Sequence, residues 1–200
     1  RAHGAANPNA QLRMPLDAGT YAAAPWVVEP LRRDDCCLIS DGAAAVVVMS
    51  ERKARELGVA ALVPVLGFGQ GNSSSDVTLR GDLTRTRADV SAQTAFRMAG
   101  LKPADIDCAQ IYDCFTVTVA MTLESYGFGS REALTEMALG GGFGADGKLP
   151  LNTAGGLLSE TGMPGLQLVL EGVRQMRGQS TSQVKGAAKC IVSNQGGIMH

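Results

Sequence analysis

The stretch that most constrains the fold is residues 106–127, where a strand pattern gives way within four residues to a helical one. Residues 106–111 (IDCAQI) form a short, largely apolar run. Phe115, Val119, Leu123 and Tyr126 then recur at helical spacing until Gly127 stops the helix. A chain that turns from a buried strand into an amphipathic helix belongs to a layered α/β arrangement. The turn itself, Ile111-Tyr112-Asp113-Cys114-Phe115-Thr116, sets a phenol, a carboxylate and a thiol together at a helix N-terminus. Backbone N–H groups and the helix dipole favour an anion there, so a depressed thiol pKa is expected if Cys114 lies in the first turn.

The same alternation extends along the chain. Leu38 and Ile39 lead through the tight turn Ser40-Asp41-Gly42 into residues 43–49, a small and β-branched run that reads as a strand buried on both faces. Residues 51–57 read as a short helix closed by Gly58, and 62–67 as a second apolar strand. The polar loop 69–85 is the best internal boundary. Asp89 is placed to cap a helix running to Ala99, and Gly100 ends it. Leu166, Val169, Leu170, Val173 and Met176 mark a further amphipathic helix closed by Gly178, and 187–192 reads as a strand. Residues 1–35 carry Asn7-Pro8, Met14-Pro15, Ala24-Pro25 and Glu29-Pro30, and read as an extended excursion because each proline pushes its predecessor away from helix.

Composition narrows the function classes. A formal net charge of −1 without a Lys or Arg run gives no steering toward nucleic acid. No apolar run approaches the roughly 20 residues of a membrane span. The five cysteines are odd in number without paired spacing, which points to reduced thiols and a cytoplasmic setting. No metal is expected: Cys36 and Cys37 are adjacent rather than chelating, and the histidines, His3 and His200, sit at the ends. The 25 glycines cluster at 67–71, 140–147, 155–165 and 196–197, where tight turns or close approaches are expected.

The order of motifs carries a resemblance. Ser40-Asp41-Gly42-Ala43-Ala44-Ala45, Tyr112-Asp113-Cys114-Phe115, Asn152-Thr153-Ala154-Gly155-Gly156 with Gly162-Met163-Pro164, and the run from Cys190 to Gly197 resemble the second half of the thiolase superfamily. The sterol-carrier or lipid-transfer branch is the most similar. The resemblance implies a layered α-β-α-β-α fold, with residues 1–80 the tail of a first domain and 81–200 most of a second. It also implies a homodimer, coenzyme A thioesters as substrates with no separate cofactor, and a nucleophilic cysteine in a half that this sequence does not include. Family members have His-Asp-Cys-Phe where Tyr112 to Phe115 stand, so Asp113 and Cys114 match and Tyr112 departs. Gly-His-Pro is replaced at Met163, and methionine cannot accept the proton that the family's histidine takes. Cys190 matches the family's C-terminal reactive cysteine locally, whereas anchoring on the following glycines puts Ser193 there. Gly156, Met163, Asn194 and Gly196 are candidates to line the substrate.

Two chemistries and one loss of chemistry follow from these departures. Acyl transfer, narrowly ahead, would use Cys114 as the proton-transfer thiol. Retro-aldol cleavage of a β-hydroxyacyl-CoA would use Tyr112, as in the thiolase-like aldolases of steroid side-chain breakdown, which work with a small OB-fold partner subunit. Without a histidine base, a non-catalytic acyl-CoA or lipid-binding subunit is the third reading.

Overall fold

The structure, a computed structural model, describes residues 1–72, 77–163 and 165–195. Helices α1 (Ala2–Ala6), α2 (Ala18–Ala23), α3 (Glu51–Glu56), α4 (Ala88–Ala99), α5 (Thr116–Ser125), α6 (Arg131–Leu139), α7 (Gly156–Ser159) and α8 (Leu166–Arg177) occur with strands β1 (Trp26–Val28), β2 (Leu31–Arg32), β3 (Cys108–Gln110) and β4 (Cys190–Val192). The mixture of helix and sheet is that of an α/β fold.

At the centre, β3 and β4 pair in parallel, with Cys108 opposite Cys190 and Gln110 opposite Val192. Leu151 bridges Ala109 on the other side of β3. Every residue of β3 is fully buried because helices cover both faces. On one face Ala109 and Ile111 join Leu123 of α5, Leu134 of α6 and Leu149 in the main apolar cluster, with Phe96 of α4 packed against it. On the other face Cys108 and Gln110 lie under α8.

The buried face of α8 is not its apolar stripe. Gln167, Leu168, Glu171, Gly172 and Gln175 are buried, whereas Leu166, Val169 and Val173 are only half-buried. Several of the polar groups there have partners: Thr153 Oγ1 donates to Glu171 Oε1 at 2.5 Å, and Gln175 Nε2 donates to Thr153 Oγ1 at 2.9 Å. Gln110 Nε2 joins the same network through Thr153 at 2.9 Å.

The runs 43–49 and 62–67, expected as strands, form no strand pairing among the described residues, and Val47 and Val48 are 83 % and 81 % exposed. A strand exists through its ladder, and the described residues supply none to these runs. The N-terminal excursion holds two short helices as well as extended chain. Proline acts as expected: α1 and α2 end before Pro8 and Pro25, with Asn7 and Ala24 in extended conformation. Helix α4 begins two residues earlier than expected, with Arg87 at the N-cap, and Asp89 sits in its first turn rather than at the cap.

The glycines of 67–71 have a definite use. A Cβ at Gly67, Gly69 or Gly71 would collide with the carbonyl oxygen of Ala95, Ser91 or Arg87 respectively. Every second residue of the extended run therefore lies directly on the backbone of α4, four helical residues apart and in the opposite direction.

Candidate functional site

The turn after β3 sends its three reactive side chains to different places. Helix α5 starts at Thr116 with Phe115 as its N-cap, so Cys114 precedes the first turn. The expected depression of its pKa does not occur: burial pushes the thiol up, and its contact with Thr118 Oγ1 at 3.8 Å only partly offsets this.

Asp113 caps a helix, but not the one that follows it in sequence. Its carboxylate accepts from Leu157 N–H at 2.8 Å and from Leu158 N–H at 3.3 Å, the opening amides of α7. It is 2 % exposed, and burial pushes its pKa up to about 6 against those hydrogen bonds, which favour the ionised form. Gly156, at φ 60°, is required here because a Cβ would strike the Asp113 carboxylate. Asn152 holds the turn from behind, accepting from Ile111 N–H at 2.7 Å and donating to Ile111 O at 2.9 Å. Its side chain thus replaces a strand partner for Ile111.

Tyr112 is fixed by its main chain and free at its phenol. Its N–H donates to Ser193 Oγ at 2.9 Å, while Ser193 N–H donates to Gln110 O at 2.8 Å and extends the β3–β4 ladder. The half-buried hydroxyl has no hydrogen-bond partner among the described residues. Burial raises its pKa first, and the nearby Cys114, Cys37 and Asp113 add to the rise.

The sequence readings converge only in part. Ser193 meets Tyr112 directly. Cys190, at the other end of β4, is turned under α8, where hydrogen bonding with Cys108 and burial push its thiol well above the usual range. Asn194 packs its amide where a Cβ on Gly165 would stand, and the φ of 72° at that glycine independently disfavours any other residue. Met163 places Sδ against Gly42, beside the contact in which Gly162 N–H donates to Ser40 Oγ at 2.9 Å. Gly196 lies outside the described residues.

Two further residues come near the turn without a local sequence signal. Cys37 donates its N–H to Cys114 O at 2.9 Å. His3 lines the wall of a cavity of about 960 Å³ that also reaches Asp113, and its Nε2 lies 3.1 Å from Phe143 O. Val117, Ala120, Leu134 and Leu139 make much of that cavity apolar, and its volume is at the upper end for a small-molecule site. Among the described residues no group of three or more His, Cys, Asp or Glu is gathered to hold a metal, and no helix is long and apolar enough to cross a membrane.

A family model described as thiolase C-terminal domain-like matches residues 69–200. The chain belongs to this thiolase-like family. It is 34 % identical over 204 residues to a 17-hydroxy-3-oxo-4-pregnene-20-carboxyl-CoA lyase of Mycobacterium tuberculosis, covering 99 % of this chain and 53 % of that protein. It is 35 % identical over 198 residues to an acetyl-CoA acetyltransferase of Methanothermobacter thermautotrophicus, covering 96 % and 51 %. Among solved structures, the Ltp2-ChsH2(DUF35) aldolase superposes with a TM-score of 0.89 at 32 % identity, over 100 % of this chain and 53 % of that one. The chain therefore spans about half the length of the relatives it matches.

Proposed function

We propose that the protein acts on a β-hydroxyacyl-CoA thioester and breaks its Cα–Cβ bond by retro-aldol cleavage. The observation that carries this reading is the free Tyr112 phenol, anchored through its own N–H to Ser193 and flanked by the Cys114 thiol. At the family's histidine position Met163 offers no proton acceptor. In the reaction, the substrate hydroxyl gives its proton to Tyr112 while the Cα–Cβ electron pair moves into the thioester as an enolate. The departing fragment leaves as a ketone or aldehyde. Cys114, held protonated by burial, is placed to return a proton to the α-carbon. Ser193 positions Tyr112, Asp113 holds α7 and with it Gly156, and Asn194 and Met163 border the substrate. Cys190 supports β4. Names among the relatives favour this chemistry, one being a carboxyl-CoA lyase and another an aldolase. We extend it to a steroid-like acyl group, to a homodimer, and to a small OB-fold partner subunit.

Acyl transfer is the second reading, favoured by the acetyl-CoA acetyltransferase at 35 % identity and by Cys114 in the family's thiol position. The two are separated by assaying a β-hydroxyacyl-CoA alone and a β-ketoacyl-CoA with CoA. Retro-aldol chemistry requires cleavage of the first and a loss of roughly 10²-fold or more in Tyr112→Phe. Its rate should climb with pH above neutrality, because Tyr112 must lose a proton from a pKa above its ordinary value of 10. Turnover of the second substrate alone, abolished by Cys114→Ala and indifferent to Tyr112→Phe, would establish acyl transfer instead.

A further inference from the structure

Cys37 and Cys114 face each other across two adjacent extended segments. Cys36 and Phe115 form an antiparallel bridge, so the next residues along, Cys37 and Cys114, are directly opposed, and the 2.9 Å bond from Cys37 N–H to Cys114 O lies at that pair. Directly opposed residues of an antiparallel pair point to the same face, with Cα atoms roughly 4.5–5.5 Å apart. A disulfide spans Cα separations of about 4.4–6.8 Å, so little main-chain movement would be needed to join them. Both cysteines are free and half-buried. Cys36, the neighbour in sequence, points to the opposite face, with its thiol 3.5 Å from Arg32 O.

We propose that Cys37 and Cys114 form an oxidative modification site: a cross-strand dithiol that closes to an intramolecular disulfide when a hydroperoxide reaches it. One thiolate attacks the peroxide, the O–O bond breaks, and a sulfenic acid forms with release of water or an alcohol. The second thiol then attacks the sulfenic sulfur; the S–S bond forms and a second water leaves. Two thiols have lost two electrons and two protons, and the peroxide has taken them. The bond removes the Cys114 proton beside Tyr112. The expected loss of turnover rests on the functional reading above, whereas formation of the bond does not.

Burial raises both thiols above the usual cysteine range, and the neighbouring Cys114 raises Cys37 further. The thiolate is the reacting species, so closure should be slow at neutral pH and speed up roughly tenfold per pH unit below those pKa values. The test is hydrogen peroxide treatment of the protein across pH 7 to 9, followed by peptide mapping without reduction. A cross-link between the peptides containing Cys37 and Cys114, reversed by dithiothreitol, retained in Cys36→Ser and absent in Cys37→Ser, is the expected result. In Cys37→Ser, Cys114 should instead proceed to sulfinic acid that dithiothreitol does not reverse. Cross-linking through Cys36, or separate oxidation of the two thiols in the unsubstituted protein, would overturn the proposal. A bond that forms without changing turnover upholds the modification site and overturns the place of Cys114 in the reaction.

Discussion

Replacing Asp113 by asparagine removes a charge from a site that was built to accept hydrogen bonds. The carboxyl is pushed from 3.8 up to about 6 by burial, so the folded protein binds its proton more readily than the unfolded chain does. The penalty is absent below about pH 3.8, grows between 3.8 and 6, and is fully present above that window. A shift of about two units at 1.36 kcal/mol each amounts to about 3 kcal/mol of stability withheld at neutral pH. Asparagine keeps one oxygen for the Leu157 N–H but turns an amide group toward the other α7 N–H, which costs about 1–3 kcal/mol at every pH. Asp113→Asn should therefore be less stable than the parent near pH 4 and close to it at pH 7. Urea unfolding at half-unit steps from pH 4 to 8 measures the difference between the two curves. Glu160, pushed up to about 7 mainly by burial, tilts both curves in the same sense and cancels largely in that difference. Parallel curves for the two proteins would refute the claim that Asp113 is ionised at a cost in its buried position.

The glycines give two further tests. Gly156→Ala introduces a Cβ at φ 60° against the Asp113 carboxylate and should destabilise by about 2 kcal/mol or more, read as a lowered urea midpoint with unchanged slope. Gly69→Ala sets a methyl group against the Ser91 carbonyl and should cost about 1–3 kcal/mol, whereas Gly81→Ala, with nothing within 4 Å, should be neutral or stabilising by up to about 1 kcal/mol. Equal midpoints for the two alanine variants would remove the case for close packing at Gly69.

Local chemistry made much of the helical frame legible. Gly58, Gly100, Gly127 and Gly178 all adopt positive φ at the helix ends that their positions in the sequence predict. The strand expected over 106–111 is present but shorter, Cys108–Gln110, and the helix after it, Thr116–Ser125, stands where the change of period places it. Helix α6 was not distinguished, although Ser130 accepts from Ala133 N–H at 3.3 Å as a side-chain cap. Leu134 is its one buried residue, and the apolar face of this nine-residue helix amounts to Leu134 and the partly buried Met137 on the core cluster, a short signal beside the glycine-rich loop that follows. The site was legible as a motif but not as a geometry. That Asp113 would cap a helix 43 residues further on, or that Cys37 would lie opposite Cys114, depends on chain crossings that no local spacing encodes. The polar buried face of α8 was hidden for the same reason, since Gln110 and Thr153 come to it from distant segments.

The run of alternate glycines on α4 acts as a vernier. Two residues of extended chain advance about 6.7 Å and four residues of helix about 6 Å, so successive glycines slip by roughly 0.7 Å against the carbonyls they face. Across Gly67, Gly69 and Gly71 the accumulated slip is still only about 1.4 Å, within what small shifts absorb. One more step would bring it to roughly 2 Å, more than half an atomic diameter. Such a seam has a natural length of three teeth, and it gives α4 a single longitudinal seat: sliding the helix by one residue would rotate a different row of side chains onto the glycines.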